Sequence, residues 1–200
     1  MSDNLLKIQL SYLKELYDQL PEDLEKVLPA IRENDVFYFK AFGESCSISP
    51  KGISLDGEMI TGPIGILIAL YAHNARKEAV QLNPLKSFKQ IKGSMAYQSA
   101  FTVRSETNLV PYVSQIQGRK RKVIEAFDGY ENEAASGDLS FILYPLPKLP
   151  LYYIFYLADE EFPASVTCLF ASNAEIFMPV DGLADVGEYT AKKVIEIVTA

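Results

Sequence analysis

Leu6, Leu10, Leu13, Tyr17 and Leu20 recur at helical spacing, which predicts an amphipathic helix with Lys7, Lys14, Glu15 and Asp18 on its wet side. Pro21 ends it. Pro21-Glu22-Asp23 reads as the acidic first turn of a short helix that carries Leu24, Val27 and Leu28 and stops before Pro29. Val36 to Phe42 is aromatic and β-prone, Gly43-Glu44 can turn it, and Cys46 to Leu55 follows, with Gly52 and Asp56-Gly57 as further turn signals. An early hairpin or three-stranded ribbon is expected there. Thr61-Gly62-Pro63 then supplies an N-cap and an early-turn proline for a helix to about Asn74, apolar almost all round and so expected to be buried. From Pro84 to Gln117 helical spacing returns, with breaks near Gly93 and Pro111.

After an expected loop from Asp128 to Gly137, the period changes to that of strands: Leu139 to Tyr144, Leu151 to Leu157, Ser165 to Phe170, and a short fourth from Ala174 to Met178. Pro145, Pro147 and Pro150 cannot donate to a central ladder, so they belong to connections or strand ends. Leu151 to Leu157 is continuously apolar and should be the central, most buried strand, with Ile154 in its middle and its Tyr hydroxyls in need of partners. Asp181 can cap a final helix packed through Leu183, Val186, Tyr189, Val194 and Ile197. Strands in runs, rather than one helix per strand, predict an α+β fold: a single domain whose antiparallel sheet combines the N-terminal hairpin with the C-terminal meander under packing helices.

Composition narrows the function classes. Two hundred residues, nearly half of them hydrophobic, and twelve Tyr with eleven Phe describe a globular chain. The longest apolar run, around Ile64 to Ala72, is too short to span a bilayer, and the N-terminus does not read as a secretory signal, so a cytoplasmic protein without membrane association is expected. Charge is unevenly spread. Residues 1–75 carry six basic and eleven acidic side chains, residues 76–122 ten and two, and residues 123–200 three and thirteen. The basic middle either forms an anion-binding face or is neutralised by the acidic C-terminal third, and pairing of Arg104 with a C-terminal carboxylate is the expected outcome. Gly118-Arg119-Lys120-Arg121-Lys122 lacks interleaved stacking aromatics, which argues against nucleic acid.

Few chemistries survive a residue count. His73 is the sole histidine and no Cys pair has metal-ligand spacing, which removes a structural zinc site, and no G-x-S-x-G accompanies His73 as a catalytic base. Phosphate-cradling glycine loops of the common kinds are missing. Cys46 and Cys168 read as reduced, strand-filling residues. Two constellations remain. Thr61-Gly62 opens a helix whose free N–H groups suit an anion, with Lys92 and Arg104 as candidate partners. Asp159, Glu160 and Glu161 place three carboxylates at an inter-strand turn, where they could hold a hard cation or simply be solvated. Neither supplies an acid–base pair for hydrolysis, so no catalytic residue is assigned and no cofactor is named.

The run from Asp138 through the proline-bracketed strand to Asp159-Glu160-Glu161-Phe162-Pro163-Ala164 resembles the prokaryotic family called Domain of Unknown Function 3786 (DUF3786). Cys168-Leu-Phe-Ala-Ser-Asn-Ala-Glu175 before a helix is similar to that family's ending, and Tyr97 with Phe101 to its middle, over about residues 15–198. The resemblance implies no established activity. It implies an accessory role near anaerobic metal or cofactor chemistry, because some relatives accompany an iron–sulfur module of corrinoid metabolism; this chain has no cysteine cluster onto which such a module could be carried. The expected function is a domain binding a small molecule or cofactor fragment, with a small anionic ligand in view. A protein-interaction module and an unrecognised enzyme are the alternatives.

Overall fold

The computed structural model describes residues 2–132 and 137–200, so the middle of the expected 128–137 loop lies outside the described residues. Helix α1 (Ser2–Asp18) and the short α2 (Leu24–Val27) lead into five strands: β1 (Ile31–Glu33), β2 (Val36–Ala41), β3 (Glu44–Ser49), β4 (Gly52–Leu55) and β5 (Glu58–Ile60). They pair in sequence order as an antiparallel meander. Tight turns keep the pairing local: Phe42-Gly43 and Asp56-Gly57 both hold two successive residues at positive φ, the geometry that matches the twist of a two-residue hairpin. The ribbon expected from Gly43 and Asp56-Gly57 is thus present, enlarged by the edge strands β1 and β5.

Helix α3 (Pro63–His73) follows, and Gly65, Leu67, Ile68, Ala69, Tyr71 and Ala72 are buried on it. Its N-cap is Gly62 at φ 141°, a backbone conformation that suits glycine, while Thr61 is exposed and its side chain caps nothing. Gln9 of α1 is buried against α3, where a Cβ on Gly65 would lie 2.2 Å from Gln9 Oε1, and it donates to the Ile60 carbonyl. His73 sits at the edge of this packing, 3.1 Å from Glu15 and beside the Tyr12 ring.

The C-terminal sheet has the order β6-β10-β9-β8-β7, all antiparallel: β6 (Lys86–Ser87), β7 (Tyr130–Glu131), β8 (Leu139–Leu146), β9 (Leu149–Tyr156) and β10 (Ser165–Phe170). As expected, β9 is central. Its inner-face residues Leu151, Tyr153 and Phe155 are fully buried, whereas Ile154 points to the other face and is only half-buried. Strand alternation corrects the expectation for Ile154: a continuously apolar run still has two faces, and only one of them meets the main core. Pro145 and Pro150 fall near strand ends around a register shift between Leu143 and Leu146. Ala174–Ile176 forms a 3₁₀ turn rather than a strand, because Asn173 turns the chain to hold the 79–81 backbone, donating to the Ala79 carbonyl and accepting from Gln81 N–H.

Between the sheets in sequence runs a helical layer. It comprises 3₁₀ turns at Phe88–Gln90 and Ser94–Ala96, α4 (Gln98–Phe101), a π-helical turn at Thr102–Glu106, a 3₁₀ segment at Thr107–Tyr112 containing Pro111, then α5 (Val113–Gly118) and α6 (Lys120–Ala126). Helix α7 (Val180–Thr199) closes the chain. Pro179, not Asp181, precedes its first helical residue, so Asp181 lies in the first turn, where a carboxylate still favours the helix dipole. Phe88 and Phe101 stack at 4.3 Å and both meet Phe170, which fastens the helical layer to the inner face of β10. The N- and C-terminal strands join two sheets rather than one; β2 lies beside β8, and Phe42 N–H donates to the Pro145 carbonyl at 2.7 Å. One continuous hydrophobic core spans both, giving a single α+β domain.

Candidate functional site

The face of the helical layer that meets α7 carries Tyr97, Ala100 and Arg104 at i, i+3 and i+7, and α7 opposes it with Asp181, Asp185 and Glu188 at i, i+4 and i+7. Between them opens a cleft of about 170 Å³, floored in part by Phe101. The close approach of the two walls depends on Gly187, where a Cβ would lie 2.6 Å from the Phe101 ring and 2.8 Å from Ser105 Oγ. The π-helical turn at Thr102–Glu106 sets the position of Arg104 along this wall; such turns occur often at functional sites. Glu106 anchors the turn from behind, with Oε1 accepting from the Cys168 backbone N–H at 3.0 Å on the part of β10 that β6 does not reach.

Charges in the cleft are unequal. Arg104 is paired with Glu188 at 3.0 Å, the C-terminal pairing expected of it, and Glu188 also accepts from Lys192 at 2.6 Å. Burial pushes the Glu188 carboxyl up, but hydrogen bonds from Lys192 and Arg104 outweigh that and leave it below the usual range. Asp185 goes the other way: burial raises it, and Glu188 and Asp181 add to the rise. Neither Asp181 nor Asp185 makes an ion pair among the described residues. Arg104 and Lys192 both engage Glu188, so Asp181 and Asp185 set the sign of the cleft: an anion is repelled and a cationic group attracted. Two roomier depressions, of about 310 Å³ beside Phe39 and Tyr144 and about 390 Å³ along α1, each bring together only two charged side chains, and in the first these, Lys40 and Asp128, pair with each other.

The residues expected to converge on an anion are dispersed. Thr61 and Gly62 line a separate, mostly apolar cleft of about 230 Å³ with Leu55, Ile60 and Tyr189, while Lys92 is exposed and lines neither cleft. Asp159 is engaged in its own turn: its Oδ1 accepts from Glu161 N–H at 2.8 Å and Phe162 N–H at 2.7 Å. Glu160 and Glu161 are exposed, and no group of three or more His, Cys, Asp or Glu among the described residues is arranged to hold a metal ion. The two cysteines are free and buried; burial lifts the Cys46 thiol to about 12 and raises Cys168 as well, so neither is a ready thiolate. Sequence reading singled out Arg104 and missed Asp181 and Asp185 as its opposing wall. The signal was there as acidic spacing on the wet side of the last helix, but only the fold says what that side faces.

Comparison with curated proteins and with solved structures gave no match. A family described as a domain of unknown function, DUF3786, matches residues 21–193. With most of its length matched, this chain belongs to the DUF3786 family.

Proposed function

We propose that this protein is a small-molecule-binding accessory domain whose ligand, a small organic molecule bearing a cationic amine, sits in the cleft between the helical layer and α7. The observation that carries this reading is the pair of unpaired carboxylates, Asp181 and Asp185, set against the Tyr97 ring in a concave site with Arg104 held on Glu188. An amine would find two acceptors and an aromatic face for its charge, and a ligand with a carboxylate as well could reach Arg104. The space fits a molecule of a few heavy atoms or one end of a larger cofactor, in keeping with an accessory role in anaerobic cofactor metabolism. The anionic ligand expected from the sequence is disfavoured by the cleft's two unpaired carboxylates, Asp181 and Asp185.

The test is native mass spectrometry of protein purified anaerobically from its own host. A retained amine-bearing species that is lost in Asp185→Asn supports the reading; a retained species unaffected by Asp185→Asn counts against it. A second reading, a protein-interaction module, is favoured by Met95, Tyr97 and Val103, large apolar side chains exposed next to the cleft.

A further inference from the structure

Two exposed features remain outside the ligand reading, and they complement each other. The first is on the helical layer. Between Glu78 and Glu106 the chain has no acidic residue, although the whole protein carries 26. Met95, Ser99 and Val103 are exposed along this stretch beside Tyr97 and Arg104 of the cleft wall, and Lys92 is exposed in the turn that precedes it. Met95 is 75% and Val103 61% exposed, and Lys89 and Lys92 are exposed with no ion pair among the described residues. Exposed Met and Val near free cations, on a stretch that contributes no carboxylate of its own, suit an interface better than an ordinary wet surface.

The second is the turn between β9 and β10. Phe162 is 66% exposed at its tip, next to the free carboxylates of Glu160 and Glu161. Asp159 holds that tip in one shape through the two hydrogen bonds to Glu161 and Phe162 N–H, and its own N–H donates to the Phe162 carbonyl at 3.0 Å. An aromatic anchor on a pre-shaped turn loses little entropy on docking.

We propose that a second copy of this chain covers the Met95–Val103 face, inserting Phe162 between these side chains while Glu160 and Glu161 meet Lys89 and Lys92. A two-fold axis makes the exchange reciprocal, so that two equivalent contacts form, close the assembly and double the buried surface. The partner is identified by complementarity present in the chain itself: an apolar, cationic face and an apolar, anionic tip. The association is independent of the cleft ligand, since Asp181 and Asp185 take no part in it.

Sedimentation equilibrium over a wide concentration range tests this. A monomer–dimer equilibrium that weakens with added salt is expected, with Phe162→Ser raising the dissociation constant by about 30-fold or more, as for a central aromatic anchor. Lys92→Glu and Glu161→Lys should each weaken the dimer, and the two together should restore it. All three positions are exposed, so a native circular-dichroism spectrum and a cooperative melt establish that each variant folds. A protein monomeric at every concentration overturns the proposal. So does a dimer indifferent to Phe162→Ser, or a charge-reversed pair that fails to recover association.

Discussion

Glu106 illustrates how much one side chain can carry. Its carboxyl satisfies the Cys168 N–H that β6 leaves unpaired, and among the described residues it makes no ion pair. Burial raises the Glu106 carboxyl, against the lowering effect of the Cys168 and Thr102 hydrogen bonds. A carboxyl raised in the folded state binds its proton more tightly there than in the unfolded chain, so its contribution is full below the ordinary carboxylate range and is lost as pH rises through the folded value. Glu106→Gln, which keeps the acceptor and removes the charge, should flatten that part of the stability–pH curve while leaving the fold intact. Urea denaturation across this pH range checks it, and an unchanged curve would show the carboxyl to be solvated. Nothing in the sequence pointed to this residue, because its significance depends on where strand β6 stops. Arg104 was legible, since an isolated cation in a basic segment of an acidic protein needs a partner, and Glu188 is that partner.

Among elements, the central strand was readable and its two faces were not. The proline-bracketed apolar run indicated β9 correctly, but a run without alternation does not say which residues face the core. The register decides it: Tyr153 and Phe155 stand opposite Phe141 and Leu139 on the inner face, and Ile154 opposite Ser140 on the outer one. Phe155→Asp should therefore destabilise the domain by more than about 4 kcal/mol and abolish soluble expression, through an unpaired buried charge. Ile154→Asp should cost clearly less and leave a folded protein with a lowered melting temperature. Equal loss of soluble protein from both would mean that the outer face is also sealed. The strands missed in the sequence, β1, β5, β6 and β7, are two or three residues long, too short for a period to register. Their existence follows from neighbours that offer a free edge. The long helices, by contrast, are legible over many turns, with ends displaced by a few residues: α1 stops at Asp18, short of Leu20, and α7 begins at Val180, ahead of the expected cap Asp181.

At the scale of the whole molecule, the charge map explains both the cohesion of the domain and the nature of its cleft. Much of the basic middle is neutralised internally: Lys77 meets Asp23, Lys86 meets Glu175, Arg104 meets Glu188, and Lys120 meets Glu131. These are partly exposed pairs that contribute little singly. They neutralise four of that segment's ten cations without an anion, leave Lys89 and Lys92 with no ion pair among the described residues, and leave Asp181 and Asp185 unmatched beside Tyr97. The most direct test is a thermal-shift series with a small primary amine, a zwitterionic amino acid and inorganic phosphate at constant ionic strength, on the native chain and on Asp185→Asn. A saturable rise with the amine-bearing compounds is predicted, larger as pH rises through the titration of Asp185, absent with phosphate and lost in the variant. Saturable stabilisation by phosphate, or an amine effect that survives Asp185→Asn, would contradict the assignment of this cleft.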